Sequence, residues 1–247
     1  MDALKTARYT LDKIERIDGK PLESQTLVKL NVNPHKVYIY SVIPNPGAQV
    51  LYVKGQHHDQ AVVNANKFPF ITIKLNPSGS LMRDNQHHTI HSMGFGYLKT
   101  IIRNNIAKKG EMFYTQAIYE GIVDWKGREF YKVVLDNRDF SYFTYEVQKG
   151  ENLSSIANKF SVSDYMIMEA NKSIKWYDDV KKGEKIKVPN TYARRIVLYL
   201  DKIYYLPFVQ QIYDDKGLFE QFEMSSFIHN PNFDPAEFTP NYRDYHF

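Results

Sequence analysis

The chain has 247 residues, 43% of them hydrophobic and 15% aromatic, with 19 Tyr and 15 Phe; it is long and apolar enough to bury a core, which excludes a disordered polymer. Lys and Arg number 32 against 28 Asp and Glu, a formal charge of +4 with no long basic block, so a solvated mixed surface is expected and a nucleic-acid partner is not. Cysteine is absent, which excludes disulfides, thiol nucleophiles and thiolate metal sites.

The opening MDALKTARYT has no apolar h-region, and eighteen consecutive apolar residues occur nowhere; neither a signal peptide nor a membrane span is expected. Glu15 and Arg16 read as a charge pair with a cross-strand role. In TLVKLNVN, Thr26, Val28, Leu30 and Val32 alternate with Leu27, Lys29, Asn31 and Asn33, the pattern of a sheet wet on one face. KVYIYSVI, QVLYVKG, AVVNAN and FITIKL follow at short spacing, broken by Pro44-Asn45-Pro46-Gly47, Gly55 and Asn76-Pro77-Ser78-Gly79. Such spacing favours an antiparallel meander. His57-His58 reads as a turn.

His87, His88 and His91 stand close together, and converging imidazoles can hold zinc or copper. No HExxH accompanies them and no carboxylate stands at a compelling spacing, so they are weak metal candidates and no cofactor is expected. Leu98, Ile101, Ile102 and Ile106 then mark a helix with one apolar stripe, ending near Lys108, Lys109 and Gly110. With Val28, Leu30, Val32 and Ile39, the first three of these isoleucine and leucine positions are assigned to the core. QAIYEGIVDW and REFYKVVLD read as a hairpin about Lys126-Gly127. The pattern changes near Phe143 and changes back near Tyr192, where RRIVLYLDK, YLPFVQQIYD and LFEQFEMSSF resume the strands. The Pro- and aromatic-rich tail NPNFDPAEFTPNYRDYHF is expected to be pinned along the main domain.

Within the interruption, Leu153, Ile156, Ala157 and Phe160 fall at i, i+3, i+4 and i+7, so one helix face is apolar. Asn152 can cap that helix and Ser163 a second one, with Ile167 and Ala170 inward. Tyr145-Glu146-Val147, the loop Lys149-Gly150-Glu151-Asn152-Leu153 and the return Lys182-Gly183-Glu184-Lys185-Ile186-Lys187-Val188-Pro189 complete a pattern that resembles a LysM domain over residues 145–189. The resemblance implies a βααβ unit that binds N-acetylglucosamine-containing glycans such as peptidoglycan. Its groove would be walled by Gly150, Glu151, Asn152 and Leu153 on one side, and by Asn171, Ser173, Ile174 and Lys175 on the other. Glu151-Asn152 replaces the usual Asp-Thr, and the segment 175–179 is longer and more aromatic than usual. There Trp176 and Tyr177 are placed either on a sugar ring or against the host. The outer strands of such a unit are antiparallel neighbours roughly 5 Å apart, so it can be inserted in a surface turn. YKVVLD and RIVLYLD would then be adjacent partners. The expected domains are 143–191, inserted, and 1–142 with 192–247.

The motifs Glu15-Arg16-Ile17-Asp18-Gly19-Lys20, Val37-Tyr38-Ile39-Tyr40, Val50-Leu51-Tyr52-Val53-Lys54-Gly55, Leu206-Pro207-Phe208-Val209 and Phe238-Thr239-Pro240-Asn241-Tyr242 resemble an uncharacterised family of bacterial exported proteins related in shape to LolA-like lipoprotein carriers. This implies an α+β fold: a curved antiparallel half-barrel with a covering helix, plus the βααβ insert. The hollow would take a lipid, lipoprotein or protein partner, or be filled by its own side chains. The function expected is non-enzymatic, in the periplasm or cell envelope, with a structural or assembly role and a LysM-targeted hydrolase as alternatives. No GxSxG elbow, phosphate loop or dinucleotide fingerprint is present.

Overall fold

Asp18 (φ 49°) and Gly19 (φ 78°) both occupy the left-handed region, as a two-residue hairpin turn requires. They join β1 (Thr6–Ile17) to β2 (Lys20–Asn31) in the computed structural model, which describes residues 1–247. Tyr9 pairs with Val28 and Ala7 with Leu30, and none of the four is more than 2% exposed. The meander continues through β3 (Lys36–Ile43), β4 (Gln49–Val53), β5 (Ala61–Asn64) and β6 (Thr72–Leu75). One expectation fails here. Val32 is 43% exposed, because β2 has already ended at Asn31 and the chain turns off through Asn33-Pro34. Glu15 and Arg16 lie opposite Leu22 and Pro21 of β2, and Glu15 pairs along its own strand with Lys13, Nζ to Oε2 2.9 Å.

β3 and β4 are apolar at consecutive positions because they are covered on both sides. Leu51, Tyr52 and Val53 are all buried. Tyr38, Leu51, Val53 and Val62 form one cluster with Phe238 and Tyr245 of the C-terminal tail. The Tyr38 and Tyr245 rings stack at 3.8 Å, and the Lys29 ammonium sits 5.0–5.4 Å from the Tyr38, Tyr242 and Tyr245 ring centres while paired with Glu237 at 2.6 Å. The tail is thus pinned by its aromatics, as its composition predicts. Gly94 (φ 90°) lies against Leu30: a Cβ there would approach Leu30 Cδ2 to 2.7 Å, which accounts for glycine at that position.

After α1 (Ser80–Arg83), α2 (Gly96–Lys109) buries Leu98 and Ile101 and leaves Ile102 half-buried, followed by the short α3 (Glu111–Gln116). β7 (Ala117–Trp125) and β8 (Arg128–Asp136) form the expected hairpin about Lys126 (φ 52°) and Gly127 (φ 81°). Next come β9 (Tyr142–Glu146), α4 (Leu153–Phe160), α5 (Asp164–Ala170) and β10 (Lys185–Pro189). β11 (Arg195–Asp201), β12 (Pro207–Asp214) and β13 (Gly217–His229) complete the fold.

The fold class is α+β. Eleven strands run in the order β6-β5-β4-β3-β2-β1-β13-β12-β11-β8-β7, with β6 and β7 as open edges, and β9 and β10 make a separate two-stranded sheet. By compactness the chain divides into residues 1–97 with 221–247, and residues 98–220; the LysM-like stretch lies inside the second unit. There β8 and β11 pair antiparallel from Asp136 opposite Arg195 to Phe130 opposite Asp201, the neighbours expected of strands flanking an insert. Beyond them β9 pairs with β10 from Tyr142 opposite Pro189 to Glu146 opposite Lys185.

Replacing Tyr245 with Ala removes the stacked ring and opens the tail cluster. Equilibrium denaturant unfolding should show a loss of about 3 kcal/mol; a loss under about 0.5 kcal/mol would mean that the tail does not hold that face.

Candidate glycan-binding site

The LysM-like stretch folds for reasons its residues supply locally. The Asn152 side chain accepts from Ser155 N at 2.9 Å and Ser155 Oγ from Asn152 N at 2.9 Å, a reciprocal capping box that starts α4. Ser163 caps α5 through Met166 N at 3.3 Å. Leu153, Ile156, Met166, Ile167 and Val188 are fully buried, so this small unit has a core of its own.

The two candidate walls are locked edge to edge. Leu153 N donates to Tyr177 O at 2.8 Å, and Asn152 Nδ2 to Asp178 Oδ1 at 3.0 Å. Gly150 is exposed at φ 84°, and a Cβ built on it would meet nothing within 4 Å, so the space beside it is open. Ser173 and Lys175 are exposed on the facing loop. The backbone N–H and C=O of Gly150, Ser173 and Lys175 take no part in the turn and loop hydrogen bonds around them.

Other candidate residues have structural duties. Leu153 is 0% and Ile174 4% exposed, so their side chains belong to the module core and only their backbones border the walls. Asn171 spends its amide on the fold: Nδ2 donates to Ile167 O at 2.7 Å and Lys187 O at 2.8 Å, and Oδ1 accepts from Lys187 N at 2.8 Å. It ties the end of α5 to β10. Tyr177 is buried, and Trp176 is half-buried with its ring 4.9 Å from that of Tyr177 at 79°.

Glu151 is the best-held charge of the site. Its carboxylate accepts from Gln148 N at 2.8 Å, from the Tyr145 hydroxyl at 2.9 Å and from Lys159 Nζ at 3.3 Å. The Gln148 amide, and after it Tyr145 and Lys159, hold the Glu151 carboxyl below the usual carboxylate range. Lys159 in turn donates to Tyr145 Oη at 2.7 Å, a contact that raises its own pKa. Tyr145, Lys159 and Asp178 escaped sequence reasoning. The i, i+8 spacing from Glu151 to Lys159 carries no helical-pair signal, and the Asn152–Asp178 bond spans two loops that only the fold brings together.

Beside the module, a cleft of about 410 Å³ is lined by Asn104, Asn105 and Lys108 of α2, by Phe160 and Ser161, and by Asn190 and Thr191. Its polar groups are largely paired: Asn104 Nδ2 with Ser161 Oγ at 2.8 Å, Asn105 Oδ1 with Thr191 Oγ1 at 3.1 Å, and Lys108 Nζ with Asn190 O at 2.7 Å. It is a seam of the fold.

The three histidines do not converge. His87 is buried with Nε2 at 3.0 Å from Arg16 O, the His88 ring packs on Tyr97 and Phe222, and the His91 ring packs on Tyr52. Glu15 Oε1 accepts from His87 N at 3.0 Å. Burial pushes the Glu15 carboxyl up, but Lys13, His87 and His88 outweigh it, and the net direction is down.

Residues 5–147 match the model of a family described as protein of unknown function, DUF1571. The chain belongs to the DUF1571 family. In this family member, residues 145–189 match the LysM domain model. No curated protein matches the chain. Among solved structures it is similar to a putative outer membrane lipoprotein-sorting protein domain from Vibrio parahaemolyticus, at 11% identity and a TM-score of 0.38 over 96% of this chain and 90% of that one. It is also similar to the lipoprotein LppX of Mycobacterium tuberculosis, at 12% identity and 0.39 over 94% and 91%. A LolA superfamily protein from Nitrosomonas europaea gives 9% and 0.32 over 96% and 90%.

Two outcomes test the site's framework. A carboxylate whose folded pKa is lowered stabilises the fold above its ordinary range, and that contribution is lost as pH falls through the lowered value. The Tm of Glu151→Gln should therefore lie below wild type at pH 7, and the gap should close below about pH 4; a gap independent of pH would refute the carboxylate's role. Asn171→Ala should cost about 2 kcal/mol, read by denaturant unfolding, because the Lys187 backbone loses both its partners.

Proposed function

We propose that this DUF1571 protein is a non-catalytic cell-envelope protein that holds peptidoglycan, or a related N-acetylglucosamine glycan, through residues 145–189. The observation that carries the reading is the pair of locked walls with unused backbone donors and acceptors at Gly150, Ser173 and Lys175. An N-acetyl group offers one N–H and one C=O, and exposed backbone amides and carbonyls on facing loops match that inventory. Trp176, half-buried beside the exposed loop, supplies an apolar surface for a sugar ring or its methyl group. A single module of this kind holds its ligand at micromolar to millimolar strength, about 4–8 kcal/mol. Avidity over a polymer would make that sufficient.

A glycan that lies outside the cytoplasmic membrane places the function in the periplasm or envelope. The large sheet would then present a lipid, lipoprotein or protein partner while the module keeps it at the wall.

A second reading, a module used only for packing, draws on its contacts within its own unit. Tyr165 lies 6.3 Å from Phe219, Tyr142 Oη donates to Asp215 at 3.3 Å, and Lys216 pairs with Glu169 at 3.1 Å. These contacts use a different set of residues from the walls, which favours binding.

The test is retention of the full chain on purified peptidoglycan sacculi, with chitin oligomers as competitor. Wild type should pellet with sacculi. Ser173→Arg, which fills the open side at an exposed position, should weaken retention by about tenfold or more with Tm unchanged. Failure of wild type to pellet, or equal retention of the variant, would leave the packing reading in its place.

A further inference from the structure

Ten consecutive residues, Ala65 to Lys74, are exposed around the β5–β6 turn, and four are large and apolar. Phe68 is 88% exposed, Phe70 63%, Ile71 58% and Ile73 39%. Scattered single hydrophobics on a surface need no explanation, but a contiguous group at one hairpin tip does.

The base of this hairpin is firmly held. Asn66 N donates to Asn64 Oδ1 at 2.8 Å, Asn66 Nδ2 to Pro46 O at 3.1 Å and Lys67 Nζ to Asn45 Oδ1 at 2.7 Å, while Phe70 N closes the turn on Lys67 O at 2.6 Å. Phe70 sits at φ 55°, in the left-handed region where glycine or asparagine is usual and a bulky side chain is strained. A phenylalanine kept there, with its ring in water, points to a use for the ring. Next to this base, Ile43 at the end of β3 is 47% exposed. Charge has one sign as well. Between Gln60 and Met82 there is no Asp or Glu, and the exposed Lys67 and Lys74 stand on either side of the apolar tip.

We propose that this hairpin is a docking tip for an anionic lipid bilayer, with Phe68, Phe70 and Ile71 entering the headgroup–acyl boundary and Lys67 and Lys74 at the phosphate level. A convex tip carrying aromatic and branched side chains suits a soft interface, and lysines at its neck can lay their stems on apolar surface while their ammonium groups meet phosphates. The tip lies within residues 1–97 and does not depend on the glycan reading. The competing occupant is a second copy paired along the β6 edge.

The experiment is co-sedimentation of the full chain with vesicles of equimolar phosphatidylglycerol and phosphatidylethanolamine, and with phosphatidylcholine vesicles, at physiological salt. Wild type should pellet with the anionic vesicles and weakly with the neutral ones. Phe68→Ser/Phe70→Ser/Ile71→Ser, at exposed positions, should lose about tenfold or more in partitioning with Tm retained. Lys67→Glu/Lys74→Glu should lose about tenfold or more on anionic vesicles, and Phe68→Trp should shift its emission to the blue on binding. Wild type remaining in the supernatant, or the triple serine variant pelleting equally, overturns the proposal. So does light scattering that finds a wild-type dimer abolished by the serine variant without vesicle binding.

Discussion

Two asparagines hold the place where the chain leaves the large sheet and comes back to it. Asn190 donates from Nδ2 to Asp139 O at 2.7 Å and to Ser141 Oγ at 3.1 Å, and accepts from Ser141 N at 3.1 Å, while its own N–H reaches Ser141 O at 2.9 Å. Asn137, buried at 6% exposure, bonds Arg194 O through its N–H at 2.7 Å and Ala193 O through Nδ2 at 2.6 Å. Between them these side chains clamp the outgoing arm to the returning arm over the gap from the β8–β11 ladder to the β9–β10 ladder. The clamp thereby fixes the geometry of the crossing between the two ladders.

A shared consequence is that the module leaves the sheet's register undisturbed. β8 and β11 pair as they would if a short turn joined them, and the loop-closure cost of the long excursion is offset because the module is internally packed. The walls of the candidate site are in turn fixed by the Leu153–Tyr177 backbone bond, so a glycan would meet a preformed groove and spend little of its binding on ordering loops. The apolar hairpin at residues 65–74 belongs to a different part of the chain, and its exposed side chains sit on a hydrogen-bonded base.

Much of this was legible in the sequence, and the parts that were not share a cause. The hairpin at Lys126-Gly127, the α2 stripe, both module caps and the pinned tail follow from turn chemistry and periodicity, which are local, and the β8–β11 pairing follows from the LysM resemblance. Val32 escaped because alternation continues one step beyond the last paired residue. The bond from His87 N to Glu15 escaped because it depends on a segment seventy residues away. In the groove, the wall loops were readable as a motif, whereas the division of labour within them was not. Leu153, Ile174 and Asn171 are as motif-like as Gly150 or Ser173, yet burial and hydrogen bonding commit them to the fold. Only three-dimensional contact separates a residue that builds a wall from one that faces a ligand.

The clamp would let the LysM-like stretch fold as a self-contained insert. Excising residues 138–193 and joining Asn137 to Arg194 through an Asn-Gly turn tests this directly, alongside residues 141–190 expressed alone. Proton NMR of both pieces should show dispersed, cooperatively melting spectra whose peaks overlay those of the intact chain. If the excised host collapses to an unfolded spectrum and the isolated stretch does the same, the two ladders are one inseparable structure and the account is wrong.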